Sequence, residues 1–193
     1  MSRKCFIFFD NDGVTSSWET WSNDTIFKDD NLSLKDVNVY KWNKIDKFCR
    51  CLKEDIEVYA VCISCWRNAF DNQENVNKFV KAANIQRIKF LADPNFIGIN
   101  FGKREPETRI NLIKTYLERY SVYDYVIIDD EFLDDYKTHN LNNVIKTDYY
   151  DGFCFQHFLE LKKRLLRWGL AEKYEKLYEN EQESIKTLLL SIF

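Results

Sequence analysis

Short, β-rich apolar runs alternate along this chain with longer stretches of helical periodicity. Phe6 to Phe9, Val58 to Ile63, Ile85 to Leu91, Val122 to Ile128 and Val144 to Lys146 read as strands, and the first four are nearly continuous in apolar residues. Runs of that kind suit strands buried on both faces. Between them Ile45, Phe48 and Leu52 share a helical face, as do Val76, Phe79 and Val80, and Ile110, Ile113 and Leu117. Pro106 stands where a first helical turn tolerates proline, and Glu105 and Glu107 complement the positive end of that helix. Strand-helix alternation predicts βαβ units, and so an α/β fold: a Rossmann-like, doubly wound sheet of about five parallel strands with helices on both faces.

Two stretches fall outside that rhythm. Thr15 to Asp36 is polar, with Trp18, Trp21 and Phe27 interspersed, and predicts a flap or loop insertion at 14–37, after the first strand. Long ordered loops in compact domains are often functional. Gly169 is suited to stop the preceding helix, and the charged, then apolar, segment Glu172 to Phe193 predicts a C-terminal helical extension over 169–193 that could pair with a copy of itself. Residues 1–168 read as one domain, in keeping with a chain of 193 residues.

Composition narrows the class. The chain is 45% hydrophobic and 16% aromatic, enough burial to offset ordering entropy, which excludes global disorder. Five glycines and two prolines are too few for a collagen, a linker protein or a turn-dense sandwich. A net charge of −3 makes no case for a general nucleic-acid or membrane-surface binder. The run Cys5 to Phe9 is cut off by Asp10, too short for a signal-peptide core or a spanning helix. Six cysteines without a secretion signal are expected to stay reduced, in a cytoplasm.

In open α/β sheets ligands bind outside the carboxyl ends of the strands. Strand one is followed by Asp10-Asn11-Asp12-Gly13-Val14, strand two by Ser64-Cys65-Trp66-Arg67, and strand four by Asp129-Asp130-Glu131; Lys103, Arg104 and Arg109 surround the start of the helix before strand four. Carboxylates at neighbouring strand tips repel one another unless a cation sits among them. Mg²⁺ suits oxygen ligands and commonly bridges to phosphate. Two carboxylates two residues apart, a hydroxyl and a basic residue make a phosphoryl-transfer kit.

Asp10-x-Asp12-Gly13-Val14 after a hydrophobic strand resembles the first motif of the haloacid dehalogenase (HAD) superfamily, and Ser64, the basic residue before a helix and Asp129-Asp130 follow in that superfamily's order. Ser64-Cys65-Trp66-Arg67 and Thr147-Asp148…Gly152 further resemble elements of the HAD domains in Swiss Army Knife RNA-repair proteins, over roughly residues 4 to 167. The resemblance implies a HAD-type phosphatase. Asp10 would be the nucleophile and Asp12 the acid and base, with Ser64 and Arg109 as further catalytic groups. Gly13, Arg67 and Lys103 would contact substrate, and Mg²⁺ would be held by Asp10, the Asp12 backbone carbonyl and Asp130, with Asp129 in support and Asp134 at the later acidic position. Related domains carry Arg-Gly at the helix start where this chain has Arg109-Ile110, so Lys103 and Arg104 compete for the third-motif role. The spans 14–56 and 91–103 are too short for a large cap domain, which leaves the site open to a nucleotide or a nucleic-acid end.

Other readings stand beside this one. The Asp10 loop could be a solvated turn, the Asp129 segment a helix cap, and Ser64 a strand-end cap. Cys62-x-x-Cys65 with Cys49-x-Cys51 could offer thiolates to zinc or a redox pair, but Cys62 lies in a buried strand and the first pair on a helix. His139 and His157 read as packing or surface residues. Lys162, Lys163, Arg164 and Arg167 form a basic helical face, and a domain that binds phosphate without turnover is the alternative to an enzyme.

Overall fold

β1 (Arg3–Phe9) is the axis of a five-stranded, all-parallel sheet of order β3-β2-β1-β4-β5. The structure, a computed structural model, describes residues 2–10, 14, 39–64, 72–92 and 106–171. The other strands are β2 (Ile56–Cys62), β3 (Ile88–Phe90), β4 (Asp124–Asp129) and β5 (Val144–Lys146). The described helices are α1 (Val39–Cys49), α2 (Gln73–Ala82), α3 (Pro106–Tyr120), α4 (Leu133–Thr138) and α5 (Phe155–Leu166). This is the doubly wound α/β architecture expected from the pattern. The proposed flap and C-terminal extension lie outside the described residues, apart from Val14 and the stretch up to Ala171.

The twofold alternation of a strand divides the core. Cys5, Ile7 and Phe9 pack with Val58, Val126 and Ile128 beneath α1, α2 and α5. Phe6 and Phe8 point the other way, joining Val61 and Ile127 beneath α3 and α4. β1 is therefore wholly buried from Cys5 onward, which is why its run reads as uninterrupted apolar sequence. Among the described residues, no helix is long and apolar enough to cross a membrane.

Element ends depart from the sequence reading where side chains compete with backbone. β3 begins at Ile88 rather than Ile85 because the amides of Gln86, Arg87 and Ile88 donate to the Asp46 carboxylate, at 3.0, 2.8 and 2.9 Å. α1 ends at Cys49, so Leu52 is not on its face; Leu52 is buried in an isolated bridge to Leu170. β1 extends back to Arg3, and β4 starts at Asp124 and carries Asp129 as its last residue. The basic face of α5 is not simply solvated: Arg164 donates to the Val144 carbonyl at 3.0 Å and pairs with Glu160 at 2.6 Å.

Asp46 is fully buried, and besides the three amides it pairs with Arg50 at 2.8 Å. It pins α1 to the segment entering β3. Asp46→Ala should therefore cost about 3–5 kcal/mol, because it leaves buried amides without an acceptor. Urea denaturation checks this, and a loss below about 1 kcal/mol would mean the amides find other partners.

Candidate active site at the carboxyl edge of the sheet

The chain runs β1, β2, β3 to one side of the sheet and then places β4 on the other side of β1, so the topological switch lies between the ends of β1 and β4. Both strands end in carboxylates there. Asp10 follows β1 directly and is carried on by its amide, which donates to the Ile128 carbonyl at 2.9 Å. Asp129 closes β4, and Asp130 follows. Asp10, Asp129 and Asp130 each bring a carboxylate oxygen within 4.8 Å of the others, a grouping that could hold a metal ion. Three carboxylates offer hard oxygen donors and favour a hard divalent cation over a thiophilic one.

Arg109 enters this cluster from the first turns of α3. Its Nη1 donates to Asp10 Oδ2 and to Asp129 Oδ2, both at 2.6 Å, and the guanidinium lies 4.8 Å from the centre of the Phe132 ring. Pro106 at the first helical position sets where that helix starts and so where Arg109 points. Burial opposes the guanidinium charge, but Asp10 and Asp129 more than offset it and hold its pKa above the ordinary value.

Asp129 is occupied on every side. Besides Arg109 it accepts from the Tyr136 hydroxyl at 2.7 Å and from the Glu131 amide at 2.8 Å. Burial, then the Asp129 charge, drives the Tyr136 pKa upward, so the hydroxyl stays a donor. Asp130 differs: burial, followed by repulsion from Asp129, pushes its pKa up to about 6.

Ser64 is buried beyond the end of β2, with its Oγ 3.5 Å from Cys62 Sγ. The Ile63 amide before it donates to the Phe9 carbonyl at 2.9 Å, so Ser64 and Asp10 leave neighbouring strands at the same edge. Thr147 follows β5, its amide donating to the Asp129 carbonyl at 3.1 Å; its buried hydroxyl finds no hydrogen-bond partner among the described residues. The Thr147-Asp148…Gly152 segment closes a tight loop in which Gly152 takes φ +61°, a conformation that favours glycine.

Not every expected residue belongs here. Asp134 lies on α4 with its side chain 95% exposed and pairs with Lys137, away from the cluster. Asp12, Gly13, Arg67, Lys103 and Arg104, together with Cys65, lie outside the described residues. Among the described residues, the metal-competent grouping is the acidic one, and Cys49, Cys51 and Cys62 are buried. His157 caps α5, its Nδ1 accepting from the Cys154 amide at 3.1 Å. Tyr136 went unnoticed in the sequence; a lone aromatic inside the polar run Leu133-Asp134-Asp135-Tyr136-Lys137 is the signal that marks it.

The raised Asp130 pKa has a stability consequence. The ordinary value is 3.8 and the folded value about 6, so the folded state binds this proton more tightly than the unfolded chain. Its contribution is full below about pH 4 and is lost as pH rises through about 6. In chelator-treated buffer Asp130→Asn should raise Tm at about pH 7 and change it little at about pH 4. An equal Tm change at both pH values would refute this.

Comparison with known families gives a match over residues 6–158 to the family described as the HAD domain in Swiss Army Knife RNA repair proteins. Comparison with curated proteins and with solved structures found no match. The matched span contains β1 from Phe6 onward, the other four strands whole and every carboxylate of the cluster. On a parallel sheet with acidic residues at the switch between its central strands, that match settles the family: the chain belongs to the HAD domains of Swiss Army Knife RNA repair proteins.

Proposed function

We propose that this protein is a Mg²⁺-dependent phosphohydrolase that forms an aspartyl-phosphate on Asp10 and acts on a nucleotide or on the terminal phosphate of a nucleic acid. The observation that carries the reading is the placement of Asp10: buried at the tip of the central strand, paired with Arg109 and grouped with Asp129 and Asp130. HAD membership supports hydrolase chemistry, and the family's RNA-repair setting supports the choice of substrate.

The roles follow from the chemistry of each group. Asp10 attacks phosphorus in line and the leaving oxygen departs with a proton from Asp12. Asp12 then takes a proton from the water that hydrolyses the Asp10 acyl-phosphate bond, which returns the Asp10 carboxylate and releases phosphate. Arg109 pairs with Asp10, which supports giving it the stabilisation of charge on the transferring phosphoryl group. Ser64 supplies a hydroxyl donor at the same edge, and Arg67, Gly13 and Lys103 contact the substrate. Asp10, the Asp12 backbone carbonyl and Asp130 would hold Mg²⁺, with Asp129, positioned by Tyr136 and Arg109, in support. The bound ion would neutralise the clustered carboxylates and polarise the phosphoryl oxygens.

Three outcomes test this. Phosphate release from an aryl phosphate should require divalent metal and vanish with chelator; activity that survives chelation leaves the metal without a role. Arg109→Ala should lower turnover by roughly 10²–10³-fold. If Lys103→Ala does so while Arg109→Ala is mild, Lys103 is the third-motif cation.

The two aspartates separate kinetically. Asp10→Asn should abolish both phosphoenzyme and turnover. Asp12→Asn should slow poor leaving groups most and let an activated ester trap phosphate on Asp10, visible by mass spectrometry of acid-quenched protein. A phosphate-binding domain without turnover would release none in any arm. Equal losses in both variants with no trapped phosphate would favour direct attack by water.

A further inference from the structure

A cavity of about 220 Å³ opens between the first turns of α1, the helix that leads into β2, and the start of α5, the helix that follows β5, so it lies toward the carboxyl edge of the sheet. Tyr40, Lys41 and Lys44 line one side and Phe153, Phe155 and Phe158 the other, and no acidic side chain is among the lining residues. Val14, four positions beyond Asp10 in the chain, touches two of the lining residues. The Val14 carbonyl accepts from Lys41 Nζ at 3.1 Å and from the Phe153 amide at 2.7 Å.

Two features set this region apart from ordinary packing. Tyr40 is 62% and Phe155 59% exposed, and Lys44 Nζ stands 4.3 Å over the Tyr40 ring. The loop between β5 and α5 adds Tyr149 and Tyr150, 38% and 64% exposed. Of the large apolar or aromatic side chains exposed among the described residues, most therefore sit at the starts of α1 and α5 and in the loop between β5 and α5. Aromatic faces interleaved with ammonium groups are the chemistry of single-stranded nucleic-acid binding, where bases stack and cations track the phosphates. At about 220 Å³ the cavity is below the roughly 300–1,000 Å³ of pockets that enclose a drug-sized ligand, so it suits one ring system with the rest of the ligand outside.

We infer that this cavity binds the nucleotide adjoining the reacting phosphate at the end of a single-stranded RNA, with its base against Tyr40 and Phe155 and its backbone phosphate beside Lys41 and Lys44. Further bases extend over Tyr149 and Tyr150, which is the reason for an oligonucleotide rather than a free nucleotide. This assignment rests on the phosphohydrolase reading for where the chain end goes, but binding can be measured without turnover.

The test is fluorescence anisotropy with a fluorescein-labelled single-stranded hexaribonucleotide that carries no terminal phosphate. The wild-type protein should bind it, and Tyr40→Ala and Phe155→Ala should each weaken binding by about 5- to 150-fold, the worth of one base-aromatic stack. Both side chains are mostly exposed, so the variants should keep the wild-type thermal midpoint. Lys44→Ala should flatten the salt dependence of binding. Unchanged affinity in both aromatic variants, no binding by the wild type, or displacement by a nucleoside monophosphate as effective as by unlabelled oligonucleotide would overturn the assignment. Aryl-phosphate hydrolysis on the same wild-type preparation keeps the two readings apart. Hydrolysis without RNA binding sinks the cavity alone; variant-sensitive RNA binding without hydrolysis supports the cavity and sinks the phosphohydrolase.

Discussion

Arg109 between Asp10 and Asp129 is the contact on which the active edge depends. Two carboxylates with oxygens within 4.8 Å of each other repel by at least about 3 kcal/mol at an effective dielectric of about 20, and this edge gathers three of them. A single guanidinium nitrogen donates to both strand-end carboxylates at 2.6 Å and lets β1 and β4 finish side by side with charged tips. The guanidinium is itself mostly buried, so the three charges are mutually dependent: each is desolvated, and each offsets that cost by pairing. The packing of α3 through Ile110, Ile113 and Tyr116 matters for the same reason, because it fixes the rotation of the helix that carries Arg109 in its first turns.

The consecutive acids Asp129 and Asp130 are divided by their surroundings. Asp129 accepts from Arg109, Tyr136 and the Glu131 amide and serves as the fixed part of the edge. Asp130 is half-buried, carries a pKa raised to about 6 and has more to gain from a bound cation. Functional sites often hold groups at a cost to stability, and the Asp130 carboxylate is where this fold bears it.

The sheet positions more than the acids. Among the described residues its two faces are covered by α1, α2 and α5 on one side and α3 and α4 on the other, and the acidic cluster stands at the strand ends between these layers. The Val14 carbonyl, held by Lys41 and Phe153, ties the chain leaving β1 to the starts of α1 and α5.

The strands were legible in the sequence because burial on both faces demands continuous apolar runs, and Phe6 to Phe9 and Val126 to Ile128 have little else they could be. The acids at the strand ends were legible for the converse reason: charge directly after such a run marks the sheet edge. What the sequence by itself determined was thus the fold class, the family resemblance and the candidate acids. Tertiary structure decided which neighbours those acids meet. Asp46 holds the approach to β3 through amides some forty positions away, Arg109 reaches Asp10 across ninety-nine, and Tyr136 is drawn into the core by a hydroxyl bond to Asp129. Asp134, which shares the spacing of an acidic motif, faces solvent because it sits on the face of α4 opposite the buried Tyr136. Periodicity reports burial along one element, whereas a hydrogen bond between distant side chains exists only once the elements that carry them have packed.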